Sequence, residues 1–341
     1  MKGTWQSAAI GVLAGASLFS TPTFAGTLLG IDGAQFTVNG RPAFLLGISY
    51  YGALGAPEEF IRKDLKDLQR NGFCWVRVWA TWRNGSNDVS AVDMQGHGRE
   101  PFLGKLKWLV AECDERGLVV DVTLTRGSRL AGGTLPDFAA HRQAIETLVA
   151  ALKQHRNWYL DLANERDVRD ERYVPVGELK ELRELVHSLD PLRLATASSG
   201  GHDLSQTEVR EALETVGLNF LCPHRPRQAS SPAETEAKTQ SCQVMMKEIG
   251  RVAPVLYQEP FRRGYGRWEP SAGDFLTDLR GALSGGAAGW CFHNGQEQRA
   301  RGDQPHRSFD LRAKRLFEQL DPEEQKVVAA AKAIVESRAQ R

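Results

Sequence analysis

The sequence predicts an α/β fold: a (β/α)8 barrel of eight parallel strands and their helices, preceded by a short N-terminal β-hairpin. Three observations carry that expectation. Eight short apolar runs alternate with eight segments of helical periodicity from Phe44 onward. Glycine tends to mark helix ends just before the strand runs, at Gly72, Gly117, Gly217 and Gly250, where a helix often closes through a left-handed residue. The first apolar run leads into Ile48-Ser49-Tyr50-Tyr51-Gly52, which is not the glycine-rich phosphate turn of a doubly wound open sheet. Parallel strands need helical crossovers, and eight such units close into a cylinder.

The N-terminus stands apart from this pattern. Met1 and Lys2 precede an apolar stretch from Ala8 to about Phe19, and Thr23-Phe24-Ala25 supplies the small residues of a cleavage site. Residues 1–25 are therefore expected to be a secretory signal peptide, too short to span a membrane stably. Residues 26–341 are expected to form a single domain, secreted or periplasmic. Next, Gln35–Val38, Asn39-Gly40 and Pro42–Leu46 read as strand, turn and strand, because Asn-Gly between apolar runs is a strong hairpin signal. Barrel strands are expected at Phe44–Ile48, Trp75–Trp79, Leu118–Leu124, Trp158–Leu162, Arg193–Ala197, Leu218–Cys222, Pro254–Tyr257 and Ala287–Phe292. Helices are expected between them, with Thr207 to Val216 read as one helix. A last helical pattern follows Phe309 and breaks near Asp321-Pro322.

Composition narrows the function classes. The chain has 341 residues, 41% of them hydrophobic and 25% charged, ordinary values for a globular protein with a large core. A formal charge of +1 gives no general electrostatic case for nucleic acid or an anionic membrane surface as partner. No later run approaches the roughly 18 apolar residues of a membrane helix. Cys74, Cys113, Cys222, Cys242 and Cys291 are odd in number and scattered, so neither a disulfide framework nor a CxxC metal site is expected.

Two of the strand runs end abruptly in glutamate: Leu160–Glu165 in the fourth position and Pro254–Glu259 in the seventh. In a barrel both carboxylates stand on the rim where strands end, the face that carries catalysis in this architecture. Two carboxylates facing each other across such a rim are the equipment for cleaving a glycosidic bond. Either glutamate alone would ordinarily be a surface or salt-bridged residue; the pair carries the signal. The same rim collects Tyr50, Trp79, Trp82 and Trp290, whose rings suit the C–H face of a sugar. Core packing is the competing reading, evenly matched for Trp79 and Trp290.

These residues also carry a resemblance. Phe36-Thr37-Val38-Asn39-Gly40-Arg41-Pro42, Leu46-Gly47-Ile48-Ser49, Asn71–Val78 with its Arg77, Asn164-Glu165, Glu259 and Trp290 together resemble clan A of the glycoside hydrolases. The cellulase-like family 5 is the nearest, and the likeness covers nearly all of the mature sequence. It implies a retaining glycosidase acting on β-linked oligo- or polysaccharides, with Glu165 as general acid/base and Glu259 as nucleophile. It further implies that Arg77 keeps Glu259 charged and that Asn164 binds the sugar 2-hydroxyl. His224 falls at the end of strand six, where the family commonly has His-x-Tyr. Nearby negative charge is expected to raise the pKa of Glu165. No cofactor and no metal are expected, and a monomer is.

The chain departs from that pattern at three places. Arg166 replaces the proline that often follows Asn-Glu, Thr125-Arg126 stands where strand three often ends in histidine, and His224-Arg225-Pro226 lacks the tyrosine. Arg126, Arg166, Arg225, Arg227, Arg262 and Arg263 all fall near the rim. A glycan is the expected partner; guanidinium groups match carboxylate geometry, which raises the hypothesis that it carries uronic acids, but solvated or mutually paired surface arginines are the favoured reading. The rival function is a non-catalytic carbohydrate-binding barrel derived from the same fold. A metal-dependent hydrolase is disfavoured, since His202, His224 and His293 form no close sequence cluster and strand one has no His-x-His. Schiff-base chemistry lacks a lysine at a strand end.

Overall fold

The structure is a computed structural model that describes residues 1, 3, 26–84, 87–125, 135–169, 172–264, 268–294 and 309–339. The expected signal peptide lies outside that range apart from residues 1 and 3, as does Arg126. The chain enters through a small antiparallel sheet of β1 (Leu29–Asp32), β2 (Gln35–Val38) and β3 (Arg41–Ala43). Asn39 and Gly40 turn between β2 and β3 at φ of 52° and 74°, the pair of left-handed residues that a two-residue hairpin of the primed kind requires. Phe36 of β2 is buried, with its ring edge-on to Phe220 at 5.0 Å.

The barrel strands follow. They are β4 (Leu45–Ser49), β5 (Trp75–Trp79), β8 (Val119–Thr125), β9 (Trp158–Asn164), β10 (Ala195–Thr196) with its continuation β11 (Ser198–Ser199), β12 (Cys222–Pro223), β13 (Leu256–Tyr257) and β14 (Gly289–Phe292). A side ribbon of β6 (Arg83–Asn84) and β7 (Asn87–Asp88) follows β5. The parallel sheet runs β10-β9-β8-β5-β4-β14-β13. Its two ends meet through β12, which pairs with β11 on one side, while Leu221 bridges to Val255 on the other. The fold is thus the eight-stranded barrel that the alternation predicts. Strands β10 to β13 are shorter than the apolar runs suggest. Pro223 and Pro254 sit in this stretch, and proline has no N–H to give to the ladder.

Helices α1 (Glu58–Arg70), α2 (Phe102–Glu115), α3 (Phe138–Leu152), α4 (Val176–Leu189), α5 (Gln206–Arg210), α6 (Ser231–Glu248), α7 (Ala272–Gly285), α8 (Leu316–Gln319) and α9 (Pro322–Ala339) complete the alternation. Several starts are legible as caps. The Asp137 side chain accepts from Ala140 N, and Ser205 and Ser271 each form a capping box with the acid three residues on. The single helix expected from Thr207 to Val216 is instead α5 followed by a wider π-helical turn, Glu211–Val216, which Gly217 ends at φ 78°. None of the helices among the described residues is long and apolar enough to cross a membrane. All five cysteines are unpaired.

Strand alternation sorts the core into two layers. Inside the cylinder, Leu45, Trp75, Val119, Tyr159, Phe220, Leu256 and Cys291 pack together with Phe36 of the hairpin. Between cylinder and helices lie Leu46, Ile48, Val76, Val78, Leu160, Leu162, Trp290 and Phe292. Gly47 shows how tight the interior is: a Cβ there would stand 1.8 Å from Trp75 Cε3. Each fully buried large side chain of this kind contributes about 1.5–3 kcal/mol.

Candidate active site

The inward register of β5 places Arg77 directly above Trp75, sealed from solvent. A buried guanidinium is tolerated only when its donors are met, and here the neighbouring strands meet them. Arg77 Nε donates to Thr123 Oγ1 at 3.1 Å and lies 3.2 Å from Asp121 Oδ2. Nη1 reaches Glu259 Oε1 at 2.5 Å; Nη2 reaches Asn164 Oδ1 at 2.8 Å and Asp161 Oδ2 at 3.3 Å. One arginine on strand two therefore ties together strands three, four and seven.

Glu259 stands just past β13, beside Gln258, whose amide donates to Asp121 Oδ2 at 2.7 Å. Its carboxylate accepts from Arg77, from the Tyr51 hydroxyl at 3.1 Å and from Arg227 Nη2 at 2.8 Å. Burial alone would raise its pKa. The imidazoles of His224 and His293 and the guanidiniums of Arg77 and Arg227 outweigh that and hold it well below the usual carboxylate range. His293 Nε2 lies 2.6 Å from the Tyr51 oxygen. Burial keeps His293 neutral, and its Nδ1 has no hydrogen-bond partner among the described residues. The proton therefore sits on Nε2, so His293 donates to Tyr51 and Tyr51 donates to Glu259.

Glu165 follows β9 with φ 50°, a left-handed conformation that strains a residue with a Cβ. Its N–H donates to Ser198 Oγ at 2.9 Å, and that hydroxyl donates on to Asp161 Oδ2 at 3.2 Å. Gly200 presses on the turn, where a Cβ would come within 2.6 Å of Val168 Cγ2 and 3.2 Å of Glu165 Cβ. The Glu165 carboxylate accepts from His224 Nδ1 at 3.2 Å and Arg227 Nη2 at 3.1 Å. Burial again opposes ionisation, but the His224 hydrogen bond and the Arg227 charge win and bring the pKa down to about 2. That reverses the expected rise: the sequence reading weighed the nearby negative charge and missed an arginine between the two acids.

Glu165 and Glu259 each present a carboxylate oxygen within 4.8 Å of the other. Beside them Tyr51 stacks on Trp82 and meets Trp79 edge-on, both with centroids at 5.1 Å. Arg77 lies 5.4 Å from the Trp79 ring. The indole N–H groups of Trp79 and Trp82 are buried without an acceptor among the described residues.

No family model matches the sequence, and no curated protein matches it. Solved structures do. The endo-1,4-β-mannanase from Rhizomucor miehei superposes with a TM-score of 0.63 at 14% identity, covering 91% of this chain and 99% of that one. A family 5 glycoside hydrolase from Bacteroides vulgatus ATCC 8482 gives 0.66 at 14%, covering 89% and 69%. The β-glucuronidase from Parabacteroides merdae gives 0.51 at 15%, covering 78% and 33%. The chain has the fold of the family 5 glycoside hydrolases.

Within this family 5 fold the structure gathers six of the expected site residues at one point: Glu165, Glu259, Arg77, Asn164, His224 and Trp79. Two others need correction. Tyr50 shares the outward face of Leu46 and Ile48, so its hydroxyl donates to Asp64 of α1 at 2.9 Å; Tyr51, one residue on, is the tyrosine at the glutamates. Trp290 likewise points to the helix layer, where its indole donates to Asp278 of α7 at 2.6 Å. Inward positions of strand eight belong to Cys291 and His293. Tyr51, His293, Ser198 and Asp161 were given no site role from sequence, and Arg227 was named only as one of the rim arginines.

Two clusters among the described residues bring metal-type ligands within 4.8 Å: Glu165, His224 and Glu259, and separately Asp167, His202 and Glu208. In the first, Arg227 already supplies positive charge between the carboxylates. In the second, His202 bonds Gly200 O through Nδ1 at 2.6 Å and Glu208 through Nε2 at 2.7 Å. Two acceptors on one ring describe a protonated imidazole. Burial lowers its pKa, but the bonds to Glu208 and Gly200 and the Asp167 charge raise it on balance.

Proposed function

We propose that the chain is a retaining glycoside hydrolase acting on β-linked oligo- or polysaccharides, with Glu259 as nucleophile and Glu165 as general acid/base. One observation carries the reading: the two rim carboxylates approach to within 4.8 Å. That is closer to the ~5–5.5 Å separation of retaining enzymes than to the ~6.5–9.5 Å across which inverting enzymes hold a water. Glycoside hydrolases among the solved structures of this fold support it.

In the first step a Glu259 oxygen bonds to the anomeric carbon as the glycosidic C–O bond breaks. The bonding pair leaves with the glycosidic oxygen, which takes the proton from Glu165. In the second, water gives a proton back to Glu165 and its oxygen to the anomeric carbon, releasing Glu259 as carboxylate. Arg77 and Tyr51 hold Glu259 ionised and aimed, Asn164 binds the 2-hydroxyl, and Trp79 and Trp82 offer sugar hydroxyls two indole donors. The enzyme is proposed to work as a secreted or periplasmic monomer without cofactor.

A panel of neutral and uronic β-glycans, followed by NMR of the released anomer, tests this. Retained β configuration is expected, together with a 2-fluoroglycosyl adduct on the Glu259 peptide by mass spectrometry. An inverted product overturns the mechanism. One feature favours the rival reading, a binding barrel that never cleaves: Arg227 and His224 keep Glu165 ionised, and an ionised Glu165 has no proton to give. Glycans that bind without turnover across the whole panel would decide for that rival.

A further inference from the structure

The arginines of the rim do not share one fate. Arg166 pairs with Glu211 at 3.4 Å, Arg225 with Asp203 at 2.9 Å, and Arg263 with Asp321 at 2.5 Å, all away from the catalytic pair. Arg227 is different. A single nitrogen, Nη2, lies 2.8 Å from Glu259 Oε2 and 3.1 Å from Glu165 Oε1. That nitrogen stands where an anomeric carbon and its leaving oxygen must lie for the two carboxylates to act on them. A sugar and the Arg227 head group exclude each other from this place.

Arg227 and Glu165 are the members of the cluster that an arriving ligand meets. Arg77, His224 and His293 are at most 1% exposed and Glu259 4%, whereas the Glu165 side chain is 11% and that of Arg227 13% exposed. Arg227 sits on the connection from β12 to α6, two residues beyond Arg225. Displacing it means giving up two ion pairs with charged carboxylates, and a neutral hydroxyl does not replace those. A carboxylate does, through two parallel hydrogen bonds to the planar fork. Buried Arg262 adds further positive charge near Tyr51 and His293.

Resting on the glycosidase reading, we propose that Arg227 is both a specificity residue and a gate. The site takes a glycan whose bound sugar is a hexuronic acid, and the sugar's carboxylate draws Arg227 off Glu165. The consequence for the chemistry follows at once. Glu165 loses one of the two partners that keep it ionised, retaining His224 while buried beside ionised Glu259, so its hold on the proton that the first step consumes is strengthened. Neutral glycans leave the gate shut.

The test uses two readouts, one of which needs no turnover. In calorimetric titrations, D-glucuronate and D-galacturonate are expected to bind the full chain more tightly than D-glucose and D-galactose. Arg227→Gln is expected to weaken uronate binding roughly 10- to 100-fold, with neutral sugars unchanged or tighter; Arg227→Lys, which keeps charge but loses the fork, falls between. In kinetics on paired aryl β-glycosides with and without the C6 carboxylate, the wild type is expected to prefer the uronide, and R227Q to lose that preference. R227Q is also expected to move the basic limb of the kcat/KM profile on neutral glycosides to higher pH. Uronate binding that depends on Arg227 without any hydrolysis supports the carboxylate site and sinks the hydrolase reading. Hydrolysis of neutral glycosides as fast as uronides, with a ratio that R227Q leaves unchanged, overturns the gate and spares the hydrolase reading. Circular dichroism confirms that each variant folds.

Discussion

The two ends of the barrel interior are built from the same strands and obey opposite rules. At the lower end Leu45, Trp75, Tyr159, Phe220 and Leu256 fill the cylinder with apolar volume, and Phe36 of the entry hairpin closes it. Two residues further along β5, Arg77 replaces an apolar side chain, and the interior becomes a knot of buried charge holding Asp121, Asp161, Glu165 and Glu259. Burial raises Asp121 to about 7, with Arg77 opposing, while Glu259 is held far below its ordinary value. Carboxylates on one guanidinium thus have their pKa values driven in opposite directions, while the two rim acids, Glu165 and Glu259, are both driven down. Such a knot adds little to stability after desolvation. The comparison teaches a division of labour: the lower end holds the barrel shut, and the upper end spends that stability on placing charges.

That division can be broken by exchanging effects between the ends. Glu259→Ala is expected to cut kcat by on the order of 10⁴-fold or more, since the covalent route disappears, while the chain stays folded by circular dichroism. Retained activity in that variant would end the assignment of the nucleophile. At the other end, Phe36→Ala should cost roughly 3–5 kcal/mol in urea unfolding, from lost burial and the cavity left under Phe220, and leave kcat alone. A kcat that falls with stability unmoved would mean the lower end is no mere floor.

How much of this was readable beforehand follows the same line. The alternation of apolar runs gave the barrel, and the two runs ending in Glu165 and Glu259 gave the facing pair of carboxylates, because strand ends in a barrel share a rim. Which face a strand-end residue takes was also legible, had parity been counted. Leu46, Ile48 and Tyr50 are two apart, so Tyr50 had to look outward with them, and Trp290 had to oppose Cys291 in the same way. The short strands β10 to β13 and the Arg227 bridge were not legible. Arg227 lies past a strand end on a connection whose path depends on tertiary packing, and no periodicity reports where its long side chain goes.

The acid side of the stability curve sharpens the comparison next. Glu165 is depressed to about 2 in the folded chain against ~4.3 unfolded. A depressed carboxylate contributes stability above its unfolded value and loses it as pH falls through the folded one. The wild type should therefore lose stability between about pH 4.5 and 2, and part of that slope depends on Arg227. Urea midpoints at pH 5, 4 and 3 should show Arg227→Gln less stable at the top of the window and nearer the wild type at the bottom. A gap that stays constant with pH would mean that Arg227 does not hold the Glu165 charge.

The smallest expected effect separates two adjacent residues on opposite faces of one strand end. Tyr51→Phe removes the hydroxyl that donates to Glu259 and accepts from His293; a hydrogen bond to a charged acceptor is worth about 1.5–3 kcal/mol, so kcat should fall roughly 10- to 150-fold with little change in KM. Tyr50→Phe removes the bond to Asp64 and should lower stability by about 1–2 kcal/mol while kcat holds. Asp64 keeps the Leu316 backbone N–H as a partner at 2.9 Å, which limits the damage on that side. The two variants differ by one position, so a shared fall in kcat could not come from the Tyr51 hydroxyl alone. It would show instead that the helix layer around α1 sets the geometry of the rim, and the separation between scaffold and site would fail at its narrowest point.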